Sequence, residues 1–444
     1  MNNQIEKLIQ FITSTRIEDC AEQLQDHVKK CFLDLAMVTA CGTRNPSTKL
    51  FSDYAETMYP GEDATILHDG KKASLIGATM ANAAAANALD MDDGYSMTMG
   101  HPGAGIVAGI LAAAEKSDCS YGDFLSALLV GYEVAMRQGL ALQKYYDFYH
   151  STGSYAGYGT AAAVAKLFKL DEKRISNALG IADYYGPLVP CMRTVNEPSL
   201  NKDGIYMGAK LGVEAVLLAQ TGIDGKAHIL GEKQFEKFTA SLGDKWYIYD
   251  LYFKFFSCCR WAQGALTAIK QLREGSTINP NDIECINVYS YGASGELYTG
   301  VPENEMEAQY NMLFPIAVYL VHGDFGPIQS SIDIDTSKLV TNLMEKINYQ
   351  RDADYENAFP AKRYTRVEIV LKNGNALRSD AVEPIGEPTS NVSMNDIIEK
   401  GMKINSLYCD PADVKVAIDS ILNSQYDTKF SEVYEDIKRI ARAR

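Results

Sequence analysis

Five segments of this chain, residues 74–90, 104–116, 122–140, 157–168 and 205–221, are rich in alanine and glycine and apolar nearly all round. A helix without a polar face has to be covered by other helices. Five of them in one chain demand a layered all-α core, with small side chains that permit close packing. Amphipathic helices precede them. Ile5, Leu8, Ile9 and Ile12 fall at helical spacing, and Val28, Cys31, Phe32 and Leu35 share one face of a second helix. Thr15-Arg-Ile-Glu18 has the spacing of a capping box opening that second helix.

The pattern changes near residue 280. Ile283 to Tyr291 is rich in Ile, Val and Tyr, and Val367, Ile369 and Leu371 alternate with polar residues as in a half-buried strand. Asn373-Gly374 predicts a two-residue hairpin turn. Helical patterns occupy 261–274, 309–322 and 336–348, and Asp410-Pro411 opens a helix reaching about Leu422. The expected fold is mostly α: a large all-α helical domain over residues 1–264, completed by C-terminal helices over 391–444, and a smaller α+β lid domain over 265–390.

With 444 residues the chain exceeds one compact core. A net charge of −15 argues against nucleic acid and anionic membranes as partners, although a local cationic pocket for an anionic substrate remains compatible with it. The start, MNNQIEKLIQFITSTR, has no basic segment leading into an apolar one, so it does not read as a signal peptide. No stretch is long and apolar enough to span a bilayer. The nine cysteines are scattered without a C-x-x-C pair and read as free thiols of a cytoplasmic protein. There is no H-E-x-x-H, G-x-S-x-G or P-loop spacing, and the glycines at 103, 105 and 109 follow no strand. Neither a metal nor a nucleotide is expected.

Chemistry concentrates in four places. In the first, Asp90, Asp92 and Asp93 end an apolar helix and His101-Pro102-Gly103 opens the next. Carboxylates are disfavoured at a helix C-terminus. They fit there if they orient or charge an imidazole, which makes the histidine a stronger base; a solvated acidic loop with a surface histidine fits as well. In the second, His150 precedes another small-residue helix, where Ser151, Thr152 and free N–H groups would make an anion site. A capping hydroxyl beside a packed histidine is the alternative. Lys202 and Arg260 each place a cation at the edge of an apolar element, as a carboxylate substrate requires.

Together these motifs resemble the MmgE/PrpD family. Asn87-Ala-Leu-Asp-Met-Asp-Asp93 with His101-Pro-Gly103, the run from His150-Ser-Thr-Gly153 to Leu167, and Lys254-Phe-Phe-Ser-Cys-Cys-Arg260 carry the likeness. So do Glu307-Ala-Gln-Tyr310 and Gly386-Glu-Pro388. The family includes 2-methylcitrate dehydratase, cis-aconitate decarboxylase and iminodisuccinate epimerase. The resemblance implies a helical domain with an α+β lid, a homodimer, and no metal or organic cofactor. It places the catalytic groups on Asp90, Asp93, His101, His150 and Lys202.

On this reading Ser151, Thr152, Arg260 and Phe314 line the substrate site. One histidine takes a proton next to a carboxylate, and the other protonates a leaving hydroxyl or returns a proton to carbon. Three positions depart from the family pattern: Phe314 where a tyrosine is usual, Gln263 where a histidine is usual, and Gly94 in place of threonine. Phe314 cannot donate a proton, which points away from decarboxylation and toward a 2-methylcitrate dehydratase-like reaction on a di- or tricarboxylate. An epimerase of an amino- or imino-dicarboxylate, a cis-aconitate decarboxylase and a non-catalytic carboxylate binder are the alternatives.

Overall fold

The computed structural model describes residues 3–442. The five small-residue segments form the helices Leu75–Asn87, Pro102–Ser117, Tyr121–Tyr145, Gly153–Leu167 and Ile205–Thr221. They pack mainly on one another. In Gly153–Leu167 every residue but Lys166 is buried. A Cβ on Gly157 would lie 2.5 Å from the Gly208 oxygen, and one on Gly212 would lie 2.4 Å from the Gly157 oxygen. These two helices therefore run backbone against backbone, an approach that any larger residue would force apart.

One hydrophobic cluster gathers this bundle, from Ile5 to Phe253, together with Ile397, Val414, Ile418, Phe430 and Ile437 of the C-terminal helices. The latter are Met394–Asn405, Pro411–Asn423 and Phe430–Arg442. A second cluster is drawn mostly from residues between Phe256 and Ile369. It lies on a four-stranded sheet of order Ile347–Arg351, Ile283–Ser290, Arg366–Leu371, Ala376–Arg378; the first pair is parallel and the others antiparallel. Ile286 faces Ile369 and Val288 faces Val367, so period-2 alternation puts one apolar face under the helix Arg260–Gly275. The protein is thus mostly α with an α+β region, as the patterns predict. Among the described residues no helix is long and apolar enough to cross a membrane.

Local differences have simple causes. The capping box at Thr15 does not form: its hydroxyl bonds back to the Phe11 carbonyl, and the next helix starts only at Glu22. The hairpin closes through Leu371 N to Asn375 O, leaving three residues in the loop with Gly374 at φ 85°. The helical pattern over 309–322 breaks because the Asn311 side chain accepts from the amides of Leu313 and Phe314, opening a new helix Phe314–His322.

Candidate active site

The helix Leu75–Asn87 stops short of the aspartates, and Asp90 adopts a left-handed conformation (φ 50°). That turn sends Asp90, Asp92 and Asp93 inward, and all three are buried. Next, Gly94–Tyr95 pairs antiparallel with Leu251–Tyr252. The pairing brings Lys254, fully buried, alongside the acids. Its Nζ donates to Asp90 Oδ1 at 2.5 Å and lies 3.5 Å from Asp92 Oδ1. Burial alone would raise the Asp90 pKa; Lys254, Lys202 and His101 instead hold it down to about 2. A second buried pair, Lys400 and Asp34 at 2.6 Å, continues the charged seam, with Lys400 also donating to the Met91 carbonyl.

Asp93 has a different task. Its carboxylate accepts from Tyr132 and from the Gly103 amide at the start of the helix Pro102–Ser117. Burial, with Asp92 and Asp34 adding to it, pushes Asp93 up to about 7 against the Tyr132 bond. The Asp93 carbonyl lies 2.9 Å from His101 Nδ1. A carbonyl only accepts, so Nδ1 carries the hydrogen and Nε2 is left for other partners. Nε2 faces Asp203 Oδ2 at 3.3 Å and Asp90 Oδ1 at 4.0 Å. The Thr152 hydroxyl accepts from the His101 amide and fixes the backbone.

His101 and Asp203 open onto a small cavity between the helical and α+β regions, lined also by Met99, Tyr149, Tyr252, Arg260, Tyr310 and Arg363. Its volume is about 20 Å³, room for about one water. Three buried polar atoms of residues at or beside it have no partner among the described residues: Asp90 Oδ2, the Tyr310 hydroxyl and Arg363 Nε. Unpartnered buried donors and acceptors are rare and costly. Their grouping around one imidazole marks a place shaped for a polar ligand. Burial raises the Tyr310 phenol, which is therefore protonated at neutral pH.

Not every expected residue meets here. His150 does not line the cavity. Its ring packs edge-on to Tyr155, with Nδ1 3.0 Å from the Ser154 hydroxyl, while its neighbour Tyr149 takes the cavity wall. Burial lowers the His150 pKa, which keeps the ring neutral. The anion site at Ser151 and Thr152 is already filled by protein. Ser151 Oγ donates to Pro187 O, and the amides from Gly153 to Ala156 bond to the carbonyls of Asp203, Ser151 and Thr152. Lys202 donates to Asn87 O at 2.5 Å and to Gln309 Oε1 at 3.0 Å; it belongs to the charged seam, outside the cavity lining. Arg260 reaches the cavity, yet its guanidinium is spent on Glu387, Gln263 and the carbonyls of Pro384, Ile385 and Phe253.

Phe314 corrects the expectation most sharply. It is fully buried in the second hydrophobic cluster, its ring 5.8 Å from Phe325, and it neither lines nor shapes the cavity. The phenol that lines the cavity is that of Tyr310. Gln263 braces the wall, donating to the Phe256 and Cys258 carbonyls. Gly94 is required by its partner strand: a Cβ there would lie 2.3 Å from the Tyr252 hydroxyl.

Asp203, Lys254 and Arg363 were absent from the expected set. Lys254 lies in a motif that carries the family likeness, and Asp203 is the neighbour of Lys202; nothing in the local pattern signals Arg363. Among the described residues one group, Asp90, Asp92 and His101, brings possible metal-ligand atoms within 4.8 Å of one another. Lys254 already lies against both carboxylates and supplies a cation at that point.

An imidazole with one nitrogen bonded to a carbonyl and the other facing a carboxylate has the geometry that proton transfer requires. Residues 6–245 match the MmgE/PrpD N-terminal domain and residues 256–425 the MmgE/PrpD C-terminal domain; the chain belongs to that family. It is 22% identical to a cis-aconitate decarboxylase of Aspergillus terreus, over 97% of this chain and 94% of the relative. A cis-aconitate decarboxylase-like protein oryM of Aspergillus oryzae is 21% identical over 97% and 96%. The Homo sapiens cis-aconitate decarboxylase is 25% identical over 73% and 71%. The protein is an enzyme of the lyase type.

Proposed function

We propose that the protein is a lyase acting on a small di- or tricarboxylate, and that decarboxylation of a cis-aconitate-like tricarboxylate is its reaction. The observation that carries the reading is that His101 and Tyr310, whose buried hydroxyl has no partner among the described residues, line one cavity. The full-length likeness to enzymes named for cis-aconitate supports the choice of substrate.

In the reaction the C–C bond to one carboxylate breaks and CO₂ leaves. Its electron pair forms a new double bond as the old one opens, and a proton adds to the far carbon of the old double bond, which takes the displaced pair. Tyr310 or a protonated His101 gives that proton, and solvent restores it. The remaining carboxylates have to be held by fixed donors throughout.

Dehydration of a 2-hydroxytricarboxylate is the second reading, favoured by Asp203 against His101 Nε2. There the imidazole takes a proton next to a carboxylate and the leaving hydroxide takes one from Tyr310, departing as water. NMR in D₂O on cis-aconitate, citrate, 2-methylcitrate and amino-dicarboxylates separates the two. Decarboxylation yields a five-carbon product bearing one solvent deuteron; dehydration yields an unsaturated tricarboxylate. His101→Gln should lower turnover about 10²–10⁴-fold with the melting temperature kept. Turnover of none of these acids, or an active His101→Gln, would remove the proposal.

A further inference from the structure

Arg260 and Arg363 both reach the cavity, but their hydrogen-bonding states differ. All of the Arg260 nitrogens donate to protein acceptors, including both Nε and Nη2 to Glu387 Oε1. Arg363 is 2% exposed, and among the described residues its five N–H groups form two bonds, both to Ser96: Nη1 to the hydroxyl and Nη2 to the carbonyl. Glu387 stands 3.9 Å away, beyond hydrogen-bond reach. Nε is buried and unpartnered. Nε and Nη2 share one edge of the guanidinium, the edge that grips a carboxylate side-on with two parallel bonds.

The placement of Arg363 is rigid. It lies just ahead of the strand Arg366–Leu371, and its guanidinium carbon is 5.7 Å from the Tyr252 ring and 5.9 Å from the Phe359 ring. Ser96 belongs to the loop between the aspartates and His101, so the bonds to it fix the guanidinium relative to the imidazole. A buried cation with three of its five N–H donors idle is unfavourable unless something negative completes it.

We propose that Arg363 is the arginine that binds a carboxylate group of the substrate, through Nε and Nη2, while Arg260 is a structural brace of the cavity wall. The inference rests on the carboxylate-lyase reading and deepens it. It assigns to this site a ligand with at least two carboxylates, one against Arg363 and another within reach of His101.

The test is calorimetric titration with acetate, succinate and tricarballylate, the last a saturated tricarboxylate with no double bond to react. The wild type should bind tricarballylate best. Arg363→Gln should weaken that binding about tenfold or more, and Arg363→Lys about threefold or more, because an ammonium keeps the charge but loses the fork. The lysine variant carries the test if the glutamine variant fails to fold. Wild-type tricarballylate binding retained by the folded variants would overturn the inference, as would a wild type that binds none of the three acids. Arg363-dependent binding without turnover of any polycarboxylate would sink the lyase reading and leave the inference standing. Turnover with KM unchanged in the Arg363 variants would do the reverse.

Discussion

Replacing Lys254 by methionine removes the cation bonded to Asp90 and Asp92 while keeping the volume. In the wild type Asp90 is held from 3.8 down to about 2, which corresponds to about 2 kcal/mol of stability. Its folded pKa is depressed, so that contribution is present above about pH 4 and is lost as pH falls through 2. Without Lys254 two buried carboxylates lie side by side, and the deletion should cost about 3–5 kcal/mol at neutral pH. For a chain of this length the unfolding entropy is roughly 0.9 kcal/mol per degree, so the melting temperature should fall by about 3–5 °C. The sign of the pH dependence is the sharper test. In Lys254→Met burial dominates and Asp90 rises above its unfolded value. It then destabilises the fold increasingly as pH climbs. Scanning calorimetry from pH 5 to 8 should therefore show the deficit shrinking toward acid. A deficit that stays constant over that range, or a melting temperature within about 1 °C of wild type, would refute the argument.

Three further outcomes follow from the same geometry. Tyr310→Phe removes a hydroxyl that has no partner, so turnover should drop about tenfold or more while the melting temperature holds or rises; steady-state kinetics beside calorimetry checks this. Phe314→Tyr puts an unpartnered phenol into the second hydrophobic cluster and should destabilise by about 1–3 kcal/mol in chemical denaturation, without creating a proton donor in the site. Exhaustive dialysis against chelator should leave activity unchanged, because Lys254 already supplies the cation between Asp90 and Asp92; activity restored only by a divalent metal would contradict it.

Much of the helical bundle was legible because its signal is local. A segment such as 157–168 is apolar on every side, and only burial by other helices suits it. The Asp90–Asp93 and His101 segment was legible for the same reason, since acids past a helix end and a histidine before a proline are visible in one short window. The remaining site was not, because its contacts span long separations. Lys254 is 164 residues from Asp90, and Arg363 is 267 residues from Ser96. Whether an arginine is free depends on what else it meets. Arg260 looks like a substrate clamp in sequence, but Glu387, 127 residues later, consumes it. Phe314 and Tyr310 lie four residues apart, and a break in the helix at Asn311 decides which of them faces the cavity. No periodicity argument anticipates that break.

The size of the cavity has a kinetic consequence. A chamber of about 20 Å³ has room for about one water, so on the proposed function a tricarboxylate would bind a wider form of the site than the one described. If that wider form is a fraction f of the population, the apparent dissociation constant is the intrinsic one divided by f. Weak apparent affinity and slow association would then be properties of the resting ensemble, separate from the strength of the contacts made once the acid is inside. Substitutions that loosen the closed form would tighten apparent binding and quicken capture without adding a single contact to the ligand.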